Sequence, residues 1–338
     1  MTASKTNSPR NLKEVHEKYS HALEKTNELI RRQLLNRAPQ TAKLEETLKL
    51  SRGKQLRPLF TYAIFDGLNI SLDKAIPLAA VFESIHVASL LHDDVIDQCH
   101  TRRNMPTMND LYGNGVAILL GDLVFVAIYR LAASMNKVWL IEEVSNTVSK
   151  LIEGELLQQQ QRFNPQTAES DYETIISGKT AALLELCCYA SARFTGQSDA
   201  NAELLKKFGT HFGIMFQIVD DWADFMRSEE NDHKDRGVDI ANGFITLPWL
   251  ILLNQADVAE YKQLTNIIER RQPSGMGEPF IKEIAIKYSL STLMAAKLQR
   301  HKDSCEEILL QITDLQDDEL RLFLNFVMSE FHKIAESE

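Results

Sequence analysis

Apolar residues recur every three to four positions along almost the whole chain, the spacing of helices that bury one face. Leu12, Val15, Tyr19 and Leu23 set the pattern near the start, and Phe208, Phe212, Met215, Phe216, Ile218 and Val219 carry it in the second half. Lys74 to Asp97 reads as one uninterrupted helical run, with Pro77 suited to its first turn. Polar residues, Gly and Pro concentrate at Ser51–Gly53, Gln98–Asn109, Asn164–Ser170, Glu229–Gly243 and Gln272–Glu278, which are the expected breaks. Residues 1–10 read as a disordered tail and residues 11–338 as one domain. No composition shift, low-complexity tract or short-period repeat divides it.

Composition supports an all-α reading. Apolar residues make up 44% of the 338 residues, enough for a sizeable core, and the 14 Gly and 9 Pro are sparse for an all-β chain. The net charge of −10 argues against non-specific nucleic-acid binding. The cysteines Cys99, Cys187, Cys188 and Cys305 form no C-x-x-C, as expected of a reduced intracellular chain without a zinc site. Met1 to Lys13 lacks the apolar core of a secretory signal. Val116 to Tyr129, the longest apolar stretch, is interrupted by Asp122 and reads as too short to span a bilayer. A cytoplasmic location follows as an expectation, with peripheral membrane contact left open.

Two acidic motifs carry the chemistry. Asp93-Asp94-Val95-Ile96-Asp97 closes one apolar helical run and Asp220-Asp221-Trp222-Ala223-Asp224 closes another. In each, the first and last Asp lie one turn apart on one helix face, where they repel unless a cation bridges them. One such pattern arises by chance in roughly one chain in twenty of this length, and alone reads as a solvated helix end. Two together point to hard-oxygen ligation of Mg²⁺, which typically takes one or two carboxylates, waters and substrate phosphates. The basic pairs Arg102-Arg103 and Lys54/Arg57 add phosphate-binding chemistry. Ser177-Gly178-Lys179-Thr180 ends like a P-loop, but Glu173 stands where that loop needs Gly and no strand is expected before it. Of the nine histidines, only His86 lies on the stripe of Asp93.

Glu83–Asp97 followed by Thr101-Arg102-Arg103, Phe216–Asp224, Gly53-Lys54-Gln55-Leu56-Arg57-Pro58, Gly178-Lys179-Thr180, and Lys234–Asp239 with Thr246-Leu247-Pro248 stand in one order. Together they resemble the signatures of trans-prenyltransferases, the polyprenyl synthetase family, of the longer-chain type. The resemblance implies a single large helical bundle around a deep central cavity, and a homodimer, with a heteromer as the alternative. It implies Asp93, Asp97, Asp220 and Asp224 as the Mg²⁺ ligands, roughly three ions per active site, with Asp94 and Asp221 supporting them. It implies Lys54, Arg57, His86 and Arg103 for isopentenyl diphosphate. Arg102, Lys179, Thr180, Gln217 and Lys234 are implied for the allylic diphosphate, Arg102 and Lys179 joining the six aspartates as the catalytic set. Two positions depart from the family: Gln55 stands where Arg is usual, and Phe244 follows Gly243 where Lys is common. Trp222 and Ala223 are unusual fillers of the second motif.

The expected reaction is all-trans chain elongation by ionisation, condensation and elimination, with charge on the leaving diphosphate neutralised electrostatically. A class I terpene cyclase and a non-catalytic subunit of a heteromeric synthase are the rival readings. The first needs no second diphosphate site, and the second would be expected to lose motif aspartates. The family reads product length from residues preceding Asp93. Ser89 and Ala88 are small, Ile85 comes next, and Phe82 lies about 16 Å below Asp93 at 1.5 Å per residue. Phe82 is therefore either a tunnel floor or ordinary core, and a product above fifteen carbons is expected.

Overall fold

The computed structural model describes residues 11–35, 53–102, 105–226, 237–272, 274–276 and 278–336, and within them the periodicity closes into helices joined by short connections. Fifteen α-helices form among them, with one two-residue antiparallel ladder pairing Thr101 with Pro106 and Arg102 with Met105. The expected tail at 1–10 lies outside the described residues.

The chain divides into two compact units. One unit comprises Met1–Val148, Leu183–Lys206 and Ile312–Leu322. Its central helix is α3 (Leu72–Ile96), apolar on nearly every side and buried accordingly. It packs against α1 (Leu12–Leu35), α2 (Leu56–Gly67) and α5 (Asn114–Ser134). On α1, Val15, Tyr19, Leu23, Ile30 and Leu34 form the buried stripe. The Tyr19 hydroxyl reaches Asp66, and the Tyr62 hydroxyl donates to the Ala22 carbonyl at 3.0 Å. Of the first turns of α3, the sequence placed Pro77 in the earliest. The helix instead starts at Leu72 behind Ser71, which puts Pro77 in its second turn, where it deletes one bond to the Asp73 carbonyl.

The other unit comprises Ser149–Ala182, Lys207–Gln311 and Phe323–Glu338. Its core is aromatic: Trp222 stacks on Phe225 at 5.8 Å and meets Phe331 at 5.7 Å, while Phe225 meets Trp249 edge-on at 5.6 Å. These pairings add to apolar burial. Within it α7 (Glu169–Ile176) runs into a π turn at Ser177–Ala181 before α8 (Ala182–Phe194) begins.

α5 exceeds the apolar run read from the sequence, because Asn114, Gly115 and residues 130–134 continue the helix at both ends. By length and composition α3 and α5 could each cross a membrane, although the apolar window of α3 is 72% buried inside the protein, against 39% for α5. A core helix of a protein that spans no membrane passes the same test of length and composition.

Candidate active site

The first aspartate motif ends α3. Helical periodicity turns Asp94 inward while Asp93 and Asp97 stay half-buried on the adjoining face. Asp94 Oδ1 accepts from Arg102 Nε at 2.9 Å and Nη2 at 2.7 Å. Burial opposes the charge of Arg102, and the Asp94 carboxylate overrides it, so the guanidinium pKa rises. Asn109 Nδ2 bonds the carbonyls of Asp94 and Cys99 at 3.1 and 2.9 Å, fixing the loop that carries Arg102. The Cys99 thiol is pushed up by burial and then by Asp97, Asp94 and Asp93, a sign of concentrated negative charge. Arg103 lies outside the described residues.

The same unit holds the other residues expected for isopentenyl diphosphate. Lys54 is exposed, and Arg57 is half-buried in the first turn of α2. Gln55, in a left-handed conformation just before α2, donates to Asn27 Oδ1 at 3.0 Å, so this departure is absorbed by a neutral contact. His86 stands two turns before Asp93 on α3, its carbonyl accepting from Ser89 Oγ at 2.9 Å. Phe82, Ile85 and Ala88 are fully buried, and Ser89 is half-buried.

The second motif ends α9 (Asp199–Met226). Trp222 is fully buried in the aromatic core, so the unusual filler anchors the motif while Asp220 is exposed and Asp224 half-buried. Asp221 points inward, accepting from the Tyr172 hydroxyl at 2.6 Å and from Gln217 Nε2 at 2.7 Å. Gln217 Oε1 accepts in turn from Thr180 Oγ1 at 2.6 Å, so a hydrogen-bond chain joins the π turn to the motif. Burial lifts the Asp221 carboxyl to about 7, the two hydrogen bonds pull it down, and Asp220 and Asp224 raise it. Asp224 accepts from the amides of Val238 and Asp239 at 3.3 and 3.2 Å. Asp239 is raised well above the usual carboxylate range, first by burial and then by Asp224, Asp221 and Asp220.

Lys179 sits in the π turn, bonded to Gln158 Oε1 at 2.7 Å and paired with Glu155 at 2.6 Å. The close approach of Gly154 permits this: a Cβ there would fall 2.8 Å from the Lys179 amide nitrogen. Lys234 lies outside the described residues. Sequence reasoning missed Tyr172, Glu155, Gln158 and Asp239. Asp239 was legible inside a quoted signature, and Glu155 and Gln158 share a helix face by their spacing of three. Nothing local marks Tyr172.

The donor chemistry fits Mg²⁺. Hard carboxylate oxygens crowd at each motif and raise one another's pKa in the second, a repulsion that a cation relieves. Among the described residues no three His, Cys, Asp or Glu side chains are arranged to hold a metal alone. Mg²⁺ bound by one or two carboxylates plus waters and phosphate oxygens needs no such cage.

The polyprenyl synthetase family model matches residues 39–281. The octaprenyl diphosphate synthase of Haemophilus influenzae is 29% identical over 299 residues, 88% of this chain and 90% of its own. The all-trans-nonaprenyl-diphosphate synthase (geranyl-diphosphate specific) of Rhodobacter capsulatus is 36% identical over 213 residues, covering 63% and 65% of the two chains. A decaprenyl diphosphate synthase structure from Rhodobacter capsulatus superposes with a TM-score of 0.85 at 26% identity, over 96% of this chain and 99% of that one. A Caulobacter crescentus polyprenyl synthase, complexed with calcium and isoprenyl diphosphate, gives 0.83 at 27%, over 95% and 99%. The chain belongs to the polyprenyl synthetase family, whose members are prenyltransferases.

Proposed function

We propose that this protein is an all-trans polyprenyl diphosphate synthase that extends an allylic diphosphate with isopentenyl diphosphate to a medium-to-long chain. The observation that carries it is the pair of motifs, each with one inward aspartate hydrogen-bonded in place and two outer aspartates on the adjoining face. Asp93, Asp97, Asp220 and Asp224 hold Mg²⁺ in this reading, which when bound neutralises charge on the departing diphosphate. Asp94 and Asp221 orient the motifs through Arg102 and through Tyr172 and Gln217.

Lys179, Thr180, Gln217, Arg102 and Lys234 bind the allylic diphosphate, and Lys54, Arg57, His86 and Arg103 bind isopentenyl diphosphate. Both Lys179 and Arg102 hold carboxylates at 2.6–2.7 Å, so a diphosphate exchanges one anionic partner for another rather than meeting a bare cation. The bond from the allylic carbon to diphosphate breaks first, leaving an allylic cation and free diphosphate, and the isopentenyl double bond then attacks that carbon. The proton lost goes to the released diphosphate. Apolar helix walls keep water from the allylic cation.

A homodimer, cytoplasmic location and peripheral membrane contact for product release complete the proposal. On α5, Ile118, Leu119 and Val126 are 43%, 69% and 47% exposed, an apolar face suited to a second copy. Incubation with labelled isopentenyl diphosphate, farnesyl diphosphate and Mg²⁺ tests the function, with products separated by chromatography. Elongated products are expected. Hydrocarbon from farnesyl diphosphate alone would favour a cyclase, and activity only with an added partner chain would favour a heteromeric subunit.

A further inference from the structure

A cationic corner stands where α6 (Val138–Gln160) has ended and residues 242–244 lead toward α11 (Leu247–Gln255). The Arg162 guanidinium lies 5.5 Å from the centre of the Phe163 ring and 5.6 Å from that of Phe244. Lys179 Nζ is 5.7 Å from the same Phe244 ring, and Arg271 is 4.4 Å from Phe163. All five residues belong to one compact unit. Two rings therefore carry three cations, and like charges so gathered repel. The negative ring faces offset part of that repulsion.

Their counter-charges are unequal. Lys179 has Glu155. Arg162 donates to two neutral acceptors, the Asn242 carbonyl at 2.5 Å and Gln159 Oε1 at 3.3 Å, and forms no ion pair among the described residues. These bonds use two of its five N–H donors.

The backbone fixes the corner. The Phe163 amide donates to the Gly243 carbonyl at 2.8 Å, and Gly243 has φ +85° with the Phe163 ring 2.8 Å from where a Cβ would stand. Only glycine meets both conditions, so the rings and the guanidinium they carry are held in register.

We infer that Arg162 is a further binding residue for the diphosphate that Lys179 takes, the Phe244 ring serving as a shared platform for the two cations. The inference rests on the proposed function and assigns a residue to its allylic subsite. A planar guanidinium with donors to spare and no carboxylate partner among the described residues suits phosphoryl oxygens, which accept bidentate bonds. The ring at 244 does by support what an amine at that position would do by contact.

Steady-state kinetics with separate titration of farnesyl diphosphate and isopentenyl diphosphate tests this. Arg162→Ala should raise KM for farnesyl diphosphate about tenfold or more, the loss of one charge-assisted contact, with KM for isopentenyl diphosphate little changed. Arg162→Lys should recover part of the loss. Phe244→Lys in the Arg162→Ala background should recover most of it, because it returns a cation to the corner without restoring the Arg162–Asn242 bond. A role confined to holding residues 242–244 would show no such recovery, and that result overturns the inference. An unchanged KM in Arg162→Ala, or equal rises for both substrates, overturns it as well. Wild-type protein that condenses nothing would sink the proposed function itself, whereas an active wild type with an indifferent Arg162→Ala sinks only the inference.

Discussion

The Tyr172 hydroxyl donates to Asp221 Oδ2 at 2.6 Å, tying the helix before the π turn to the buried aspartate of the second motif. Tyr172 is itself buried, and its own pKa is raised well above the ordinary phenol value by that burial and then by Asp221. Tyr172→Phe keeps the ring and deletes one donor to a carboxyl that water does not reach. A stability loss of roughly 1–3 kcal/mol is expected from the unsatisfied oxygen. Urea denaturation measures it, and a variant as stable as wild type would show that Asp221 finds another donor.

The motif carboxylates predict the opposite balance of stability and activity. Asp93 and Asp220 stand half-buried and exposed, each among like charges. Asp93→Ala or Asp220→Ala should lower Mg²⁺-dependent turnover by about a hundredfold or more while leaving thermal stability intact. Near-normal turnover in either variant would refute the two-motif metal site.

Product length reads out the helix under the first motif. Ala88 is fully buried one turn below Asp93, and Phe82 is fully buried further down. Ala88→Phe should shorten the product if that side faces the growing chain, at an overpacking cost of about 1–3 kcal/mol. Phe82→Ala should lengthen it if the ring is the floor. Chromatography of dephosphorylated products decides both, and a folded Ala88→Phe enzyme with unchanged products rejects the tunnel along this face.

Gly213 predicts a packing-limited site. A Cβ there would fall 2.5 Å from the Ala181 Cα, in the π turn that also carries Lys179 and Thr180. Gly213→Ala should destabilise by about 1–3 kcal/mol or more, because backbone rather than a flexible side chain must move. It should also weaken allylic diphosphate binding, seen as a raised KM. A variant with unchanged melting temperature and KM would mean that α9 shifts freely.

His211 and His301 predict an acid sensitivity away from the motifs. Their Nδ1 atoms lie 3.0 Å apart, and both pKa values are lowered: that of His211 by burial and then Lys207, that of His301 to about 4 by burial and then His211 and Lys297. The unfolded chain binds a proton below its ordinary value near 6.5 that the folded chain refuses until about 4. Stability is therefore full above that ordinary value and falls as pH drops through this window. Urea midpoints between about pH 7.5 and 4.5 should show the slope, and His301→Leu should flatten it. An equal slope in wild type and variant assigns the effect to other groups.

The helices and the two acidic faces were legible in the local pattern of residues. A period of 3.6 acts within a few residues, so Asp93 with Asp97 and Asp220 with Asp224 share a face wherever the helices pack. The same locality made Gln98–Asn109 and Asn164–Ser170 readable as breaks, and left Pro77 misplaced by one turn, since propensity does not fix where a helix begins. Tertiary structure alone decided which aspartates are supported and by what. Asp94 meets Arg102 across a loop, Asp221 meets Tyr172 from 49 residues away, and Lys179 meets Glu155 from an earlier helix. Such partners are chosen by burial, which makes an unpaired polar group costly and so selects whichever distant side chain can satisfy it. The ring of Phe244 shows the same limit: its sequence records only a missing amine, while the fold places two cations on it.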